Sequence, residues 1–364
     1  MSLPKKILIA PLDWGLGHTT RCISIIRYLL RKGCVVILAA EGDAAQLLRE
    51  NFPDLPILNL KGYRIHYSKN KRGFTGTILG QIPKILRIIR EEKTWLQHQH
   101  NIHHFDAVIS DNRYGLYHHT LPAVILTHQL QIQSGKGRVI DRWLRKLHYR
   151  LLQRFSQCWI VDMPGKDNLS GILAHPAQLP ATAAYIGLLS QMIPPERPVE
   201  KTGMILVLLS GPEPARTQLL SVLLQQAKTM SSYEFLFVAG NPSEKVISGL
   251  PAHIRYHTHM NADQLSAALA AAALVICRSG YSTLMDLCTM EQKALLIPTP
   301  GQTEQEYLAG YLHSREIALA VEQGALQLGN DIPAALSKKG FANLVPEGAN
   351  LMYKVVDALL EKLR

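Results

Sequence analysis

Short, continuously apolar runs recur along the chain at residues 7–12, 35–39, 107–110, 123–127 and 159–161, and again at 205–210, 235–239, 274–277 and 295–298. They do not alternate with polar positions, which is the pattern of strands buried on both faces of a parallel sheet. Segments of helical periodicity, such as residues 20–32 and 217–229, lie between them. Two successive sets of this kind predict an α/β chain built from two doubly wound, Rossmann-like domains. Such sheets bind ligands at the carboxyl ends of their strands, so two of them predict a site in a cleft that both domains face. The stretch at residues 192–203, with three prolines and a glycine, reads as a linker between domains at 1–191 and 204–364. Residues 350–364 predict an amphipathic helix with Leu351, Val355, Leu359 and Leu363 on one face, free to pack back on the first domain.

Composition narrows the class. At 364 residues, 47% hydrophobic and 18% charged, the chain can bury two cores and is not disordered. Its longest near-apolar run, residues 265–277, is too short for a bilayer, which needs about 20 residues. Lys5 and Lys6 precede only a short apolar run, so no secretory leader is expected. The five cysteines (22, 34, 158, 277 and 288) lack metal or disulfide spacing and read as reduced thiols, so a cytoplasmic placement is expected.

Charge changes the picture more. Residues 1–200 hold 26 basic and 14 acidic side chains, whereas residues 201–364 hold 13 and 14, so the whole excess of +11 lies in the first half. Residues 61–93 carry nine basic and two acidic groups, and residues 136–154 carry seven and one. A focused field of this kind points to an anionic partner. Ile78, Ile82, Ile85, Leu86 and Ile89 recur at helical spacing between Lys84, Arg87 and Arg90, and Ile140, Leu144, Leu147, Leu151 and Phe155 between Arg142, Arg145, Lys146 and Arg150. With Tyr63, Tyr67, Phe74 and Trp95 nearby, these segments predict docking on an anionic membrane surface. Nucleic acid is the rival partner, but no helix-turn-helix, zinc-finger or RNP signature supports it.

Four strand-end turns carry candidate chemistry. Asp13-Trp14-Gly15-Leu16-Gly17-His18 follows the first run. Its glycines allow close backbone approach, and an imidazole on the loop can act as a general base. It is neither a dinucleotide fingerprint nor a P-loop. Ser210-Gly211-Pro212-Glu213-Pro214 and Arg278-Ser279-Gly280 each precede a helix, whose N-terminus favours a phosphate. Asp286 lies inside the helix after the second of these, where a carboxylate can take ribose hydroxyls. Pro298 to Tyr307 holds amides and carboxylates, Gln305 and Glu306 among them, suited to sugar hydroxyls. No DxD-type carboxylate pair that would hold a metal is visible.

These turns, taken in order, resemble those of the GT-B nucleotide-sugar glycosyltransferases, and most closely the MurG-type enzymes. Gly15, Gly17 and His18 match the family's first glycine-rich loop, and Thr127-His128-Gln129 its acceptor-side segment. Ser210 and Gly211 fall at its second phosphate loop, Arg278-Ser279-Gly280 match its Arg-Ser-Gly, Asp286 replaces the ribose-binding Glu, and Gln305 and Glu306 replace a sugar-reading Gln pair. Met260 falls where a backbone group meets the base. The first loop has fewer glycines than the family pattern, the second carries Pro212, Glu213 and Pro214, and His128 stands where the family has Glu.

The resemblance implies an inverting, metal-independent transferase that uses a UDP-type nucleotide sugar as substrate, with no cofactor. N-acetylglucosamine is the sugar it suggests, and a lipid-linked acceptor fits the basic first half. The enzyme would work from the cytoplasm, at the inner face of the membrane. His18 would be the base, with Asp13, Asp111 and His128 as alternatives. A sugar-nucleotide 2-epimerase of the same fold and a non-catalytic nucleotide-sugar binder are the competing readings.

Overall fold

The computed structural model describes residues 3–63, 82–131, 137–197, 199–241, 247–342, 344 and 351–363. It divides into two compact units, Met1–Ser190 with Glu347–Arg364, and Gln191–Pro346.

The first unit is built on a seven-stranded, wholly parallel sheet. Its strands are β1 (Lys6–Ala10), β2 (Val35–Ala40), β3 (Ile57–Asn59), β4 (Ala107–Asp111), β5 (Ala123–Thr127), β6 (Gln157–Ile160) and β7 (Ala183–Tyr185), in the order β3-β2-β1-β4-β5-β6-β7. Ile7, Leu8, Ile9, Val108, Ile109 and Ile125 are fully buried, as their unbroken apolar runs require. The order reverses between β1 and β4, which are directly paired, and sheets of this kind bind ligands at such a switch point.

Helix α1 (Leu16–Arg31) follows β1 and starts four residues before the predicted segment. Gly15, at φ +78°, is its N-cap. His18 therefore sits on the first helical turn, not on the loop, and Arg21 lies one turn further along the same face. Helices α2 (Gly42–Asn51), α3 (Ile82–His103) and α4 (Arg138–Leu152) complete the described helices before β6.

The basic segments differ from expectation. Residues 64–81, with Tyr67, Phe74 and Ile78, lie outside the described residues. Tyr63 is buried, its hydroxyl donating to Glu92 Oε2 (2.9 Å), so it serves the fold rather than a membrane face, whereas Trp95 Nε1 donates to Asn59 O (3.0 Å) from a half-exposed position. On α4 the deeply buried positions are His148 and Leu152, whereas Val139, Ile140, Trp143 and Leu147 are exposed. Trp143 is 61% exposed, and Arg142, Lys146 and Arg150 stand exposed beside it. The helix thus presents an apolar stripe and a basic stripe to solvent. No described helix is long and apolar enough to cross a membrane.

The C-terminal helix α10 (Leu351–Lys362) belongs to this first unit. Tyr353 stacks on Tyr28 of α1 (4.3 Å), and Asp357 accepts from Tyr28 Oη (2.8 Å) and Lys32 Nζ (3.0 Å). Val356 and Leu359 are its buried positions, a face turned slightly from the predicted stripe.

The second unit repeats the architecture with six strands: β8 (Ile205–Leu208), β9 (Phe235–Val238), β10 (Ile254–His257), β11 (Leu274–Cys277), β12 (Ala294–Leu296) and β13 (Leu319–Ala320). All pairings are parallel, in the order β10-β9-β8-β11-β12-β13, and the switch point lies between β8 and β11. The helices are α5 (Ala215–Ala227), α6 (Ala262–Ala271), α7 (Tyr281–Thr289), α8 (Thr303–Ser314) and α9 (Leu328–Leu336). Most of the 192–203 segment is exposed, but Met192 is buried and Thr202 N donates to Ala271 O (3.1 Å), which ties it to this unit.

Candidate active site

At the switch point of the first sheet, α1 meets the ends of β4 and β5. His18 Nδ1 lies 3.0 Å from Asp111 Oδ2. Arg21, 1% exposed, grips the same carboxylate at both oxygens, with Nε at 2.7 Å from Oδ2 and Nη2 on Oδ1. Its Nη2 also reaches His18 Nδ1 (2.8 Å), and its Nη1 reaches His128 Nδ1 (3.1 Å). Burial by itself would raise the Asp111 carboxyl, but the charge of Arg21, then that of His18, outweighs it and holds Asp111 ionised. His18 moves below its usual value, first because it is buried and also because Arg21 is near, while Asp111 opposes the shift.

Three of the four predicted base candidates therefore come together. The fourth, Asp13, does a different job: its Oδ1 accepts the N–H of Tyr63 (2.9 Å). Arg21 had no role in the sequence reading. Its one signal is its place three residues after His18 on a helix that starts at Gly15. On the 127–129 segment, Thr127 Oγ1 accepts from Gln129 N (3.1 Å), and His128 is buried against Arg21. A cavity of about 330 Å³ elsewhere in this unit is lined by Gln131, Arg142, Arg145 and His175, and none of the Asp111 cluster lines it.

In the second unit, the candidate residues gather at the ends of β8, β11 and β12. Gly211 lies at φ +99°, a conformation that suits glycine, and a Cβ there would sit 4.0 Å from Thr299 Oγ1. Ser279 Oγ donates to Gln305 O (2.8 Å), and Gln305 Oε1 accepts from Thr299 N (2.9 Å). Glu306 Oε1 accepts from Gly301 N (2.8 Å). Gly280 is the N-cap of α7, and Asp286 lies half-buried within that helix. Met260 immediately precedes the capping box of α6, formed by Asn261 and Gln264. Glu213, the acidic departure in the second loop, is held by Arg216 Nε (3.0 Å) and Thr217 Oγ1 (2.8 Å), so its charge is already paired.

Arg278 corrects the expectation of a phosphate ligand. Its guanidinium is buried, with Nη1 donating to Ile297 O (3.1 Å) and Pro298 O (3.2 Å), and Nη2 to Ala215 O (2.9 Å) and Gln323 Oε1 (2.9 Å). All four Nη hydrogens are used within the protein, so Arg278 clamps the loops rather than offering its fork to a ligand. Two buried polar atoms beside these loops, Arg278 Nε and Thr299 Oγ1, have no hydrogen-bond partner among the described residues. Buried polar atoms are normally paired, so an orphaned hydroxyl at the ligand-binding end of the strands is a candidate ligand contact. Thr299 stands between two prolines in the 298–307 turn whose hydrogen-bonding side chains mark it as a candidate in the sequence. Among the described residues, no group of three His, Cys, Asp or Glu side chains is arranged to hold a metal ion.

Comparison with known proteins agrees with the fold. Residues 206–350 match the glycosyltransferase family 28 C-terminal domain. The chain is 25% identical over 342 residues to the UDP-N-acetylglucosamine–N-acetylmuramyl-(pentapeptide) pyrophosphoryl-undecaprenol N-acetylglucosamine transferase of Mannheimia succiniciproducens, covering 90% of this chain and 87% of that one. It is 23% identical to an uncharacterized glycosyltransferase of Methanosarcina acetivorans, covering 83% and 81%. Among solved structures, Acinetobacter baumannii MurG superposes with a TM-score of 0.60 at 15% identity over 99% of this chain and all of that one. The glycosyltransferase VinC in complex with dTDP superposes with a TM-score of 0.66 at 14% identity over 98% and 99%. Two doubly wound sheets of the GT-B fold, a family 28 C-terminal domain in the second half and similarity to MurG-type transferases over 90% of the chain mark the protein as a glycosyltransferase that resembles MurG.

Proposed function

We propose that the protein is an inverting, metal-independent glycosyltransferase that moves a sugar from a UDP-type donor to a lipid-linked acceptor. N-acetylglucosamine is the favoured sugar, since it is the one named for the relatives. The observation that carries the donor half is the orphaned Thr299 hydroxyl, set beside Gly211 at the carboxyl ends of the second sheet.

In this reading residues 204–364 supply the donor domain, apart from the last helix. Backbone N–H groups at Ser210, Gly211, Ser279 and Gly280, the N-terminus of α7 and Thr299 would hold the diphosphate. Met260 would meet the base through its backbone and Asp286 the ribose. Gln305 and Glu306 each spend one oxygen on the 299–301 turn, which leaves the amide nitrogen of one and the second oxygen of the other for sugar hydroxyls. Gly15 and Gly17 would also contact the donor. Fixed N–H groups and a helix dipole stabilise the leaving diphosphate without any metal.

Residues 1–191 would receive the acceptor through Thr127, His128 and Gln129. His18 would take the proton from the acceptor hydroxyl. That oxygen would then attack the anomeric carbon from the side opposite the departing nucleotide, which inverts the configuration. Asp111 stabilises the imidazolium as it forms. The exposed Val139, Trp143 and Leu147 stripe of α4, with its flanking arginines, would rest on an anionic leaflet at the inner face of the cytoplasmic membrane.

The reading is tested by calorimetry with UDP-N-acetylglucosamine, dTDP-sugars and GDP-sugars, on the wild type and on Thr299→Val. Selective binding of the UDP-sugar, weakened about tenfold in Thr299→Val, is expected. Absence of binding by every nucleotide sugar would overturn it.

A further inference from the structure

The cluster around Asp111 contains a cation that a simple His–Asp pair does not need. Arg21 enters it because α1 begins at Gly15, which sets His18 and Arg21 on one face, three residues apart. The groups facing one another are His18, Arg21 and Cys22 from α1, Asp111 at the end of β4, and His128 just past β5. Asn112 joins them: in the orientation that satisfies its neighbours, its nitrogen donates to Thr127 Oγ1 (3.1 Å) and its oxygen lies 3.2 Å from Arg21 Nη2, where it competes with Asp111 Oδ1 and His18 Nδ1 for that group's two hydrogens.

The hydrogen count is constrained. A guanidinium only donates, and an ionised carboxylate only accepts. His18 Nδ1 is offered both, at 2.8 Å from Arg21 Nη2 and 3.0 Å from Asp111 Oδ2. With a proton on Nδ1, His18 donates to Asp111 and Nε2 is free to act as a base. With Nδ1 bare, it accepts from Arg21, and the proton sits on Nε2, where it blocks that role. With both nitrogens protonated, an imidazolium faces a guanidinium at hydrogen-bond distance. His128 Nδ1 faces Arg21 Nη1 at 3.1 Å, which favours the tautomer with its proton on Nε2.

We propose that Arg21 is a positioning residue that keeps the resting His18 neutral and governs which of its nitrogens holds the proton. It does so by binding the Asp111 carboxylate at both oxygens and by placing its charge against Nδ1. Without it, the bare Asp111 carboxylate would draw a second proton onto His18 and consume the base before substrate arrives. The downward shift of His18, to which Arg21 contributes after burial, has the sign this requires. The proposal rests on the reading of His18 as the base for its link to catalysis, but its physical content does not.

The test is nitrogen-15 NMR of the histidine-labelled full chain, with His18 assigned by its absence in His18→Ala. In the wild type His18 should stay neutral below the pH at which a free imidazole titrates, near 6.5. In Arg21→Gln its midpoint should rise by at least one pH unit. In Arg21→Lys, which keeps a cation but not the fork, His18 should stay close to wild type while the His128 signals change. Equal His18 midpoints in wild type and Arg21→Gln would overturn the proposal. Should Arg21→Gln not fold, an Arg21→Lys variant in which His18 titrates as a free imidazole would do the same.

Turnover adds a second readout. Arg21→Gln should lose about tenfold at pH 6.5 and recover above pH 8, whereas a merely structural role would lower the rate equally at every pH. The base reading fails separately: folded His18→Ala with full turnover would sink it and leave the titration result standing.

Discussion

Replacing Arg278 with Ala separates a loop clamp from a phosphate ligand. The substitution removes four donors and strands three carbonyls, of Ile297, Pro298 and Ala215, together with Gln323 Oε1. Each buried acceptor left unpaired costs on the order of 1 kcal/mol, and water entering the vacated space recovers part of it. The expected loss from the four acceptors is therefore about 2–4 kcal/mol. For a unit of this size each kcal/mol moves the melting point by about 2–4 °C, so a drop on the order of 10 °C is expected. Nucleotide affinity should fall with it, because the 279–280 and 299–301 turns lose their common anchor. Arg278→Lys, whose single ammonium cannot reach all four acceptors, should fall between the two. Thermal melting of the three proteins, followed by calorimetry with UDP below each transition, provides the comparison. An Arg278→Ala protein that melts within about 2 °C of wild type but binds UDP 10–100-fold more weakly would refute the clamp and return Arg278 to direct phosphate contact.

Other predictions concern the first unit. His18→Ala should lower turnover by about 10²–10⁴-fold with donor affinity nearly intact, and a folded variant with wild-type turnover would remove it as the base. His148 is buried and its imidazole is pushed down to about 4 by that burial, so the unfolded chain takes up this proton first as pH falls. Stability should therefore drop by about 2–3 kcal/mol between pH 6.5 and 4, and His148→Phe should show a correspondingly shallower fall in urea midpoint over that window. Sedimentation with anionic vesicles should pellet the protein at low salt and less so at high salt, with Trp143→Ser weakening the effect; an unpelleted wild type would discount α4 as a docking face.

Much of this was legible in the sequence because parallel strands buried on both faces must be continuously apolar. Residues 7–12 and 205–210 announced the first strand of each sheet for that reason, and the strand-end turns marked the ligand side. Local reading failed where tertiary partners decide a residue's task. Arg278 matched a motif and looked like an anion cradle, yet its four hydrogens are taken by three carbonyls and an amide far away in sequence. Tyr63 reads as a membrane aromatic, but it is buried and Glu92 claims its hydroxyl. Arg21 was invisible as a functional residue because its partners, Asp111 and His128, lie 90 and 107 positions downstream. The α1 start was misjudged by four residues, since a positive-φ glycine rather than a capping side chain opens the helix, and that error hid the shared face of His18 and Arg21.

The central claim, transfer of a sugar from a UDP donor to a lipid-linked acceptor, is tested most directly by product analysis. The protein would be incubated with carbon-13-labelled UDP-N-acetylglucosamine and a bacterial membrane lipid extract, with and without EDTA, and the label followed by NMR and mass spectrometry. The account predicts UDP release matched one-for-one by label in the lipid phase, with inverted anomeric configuration and no loss of rate in EDTA. UDP release with the label appearing as a free 2-epimer, independent of the extract, or transfer with retained configuration would contradict it.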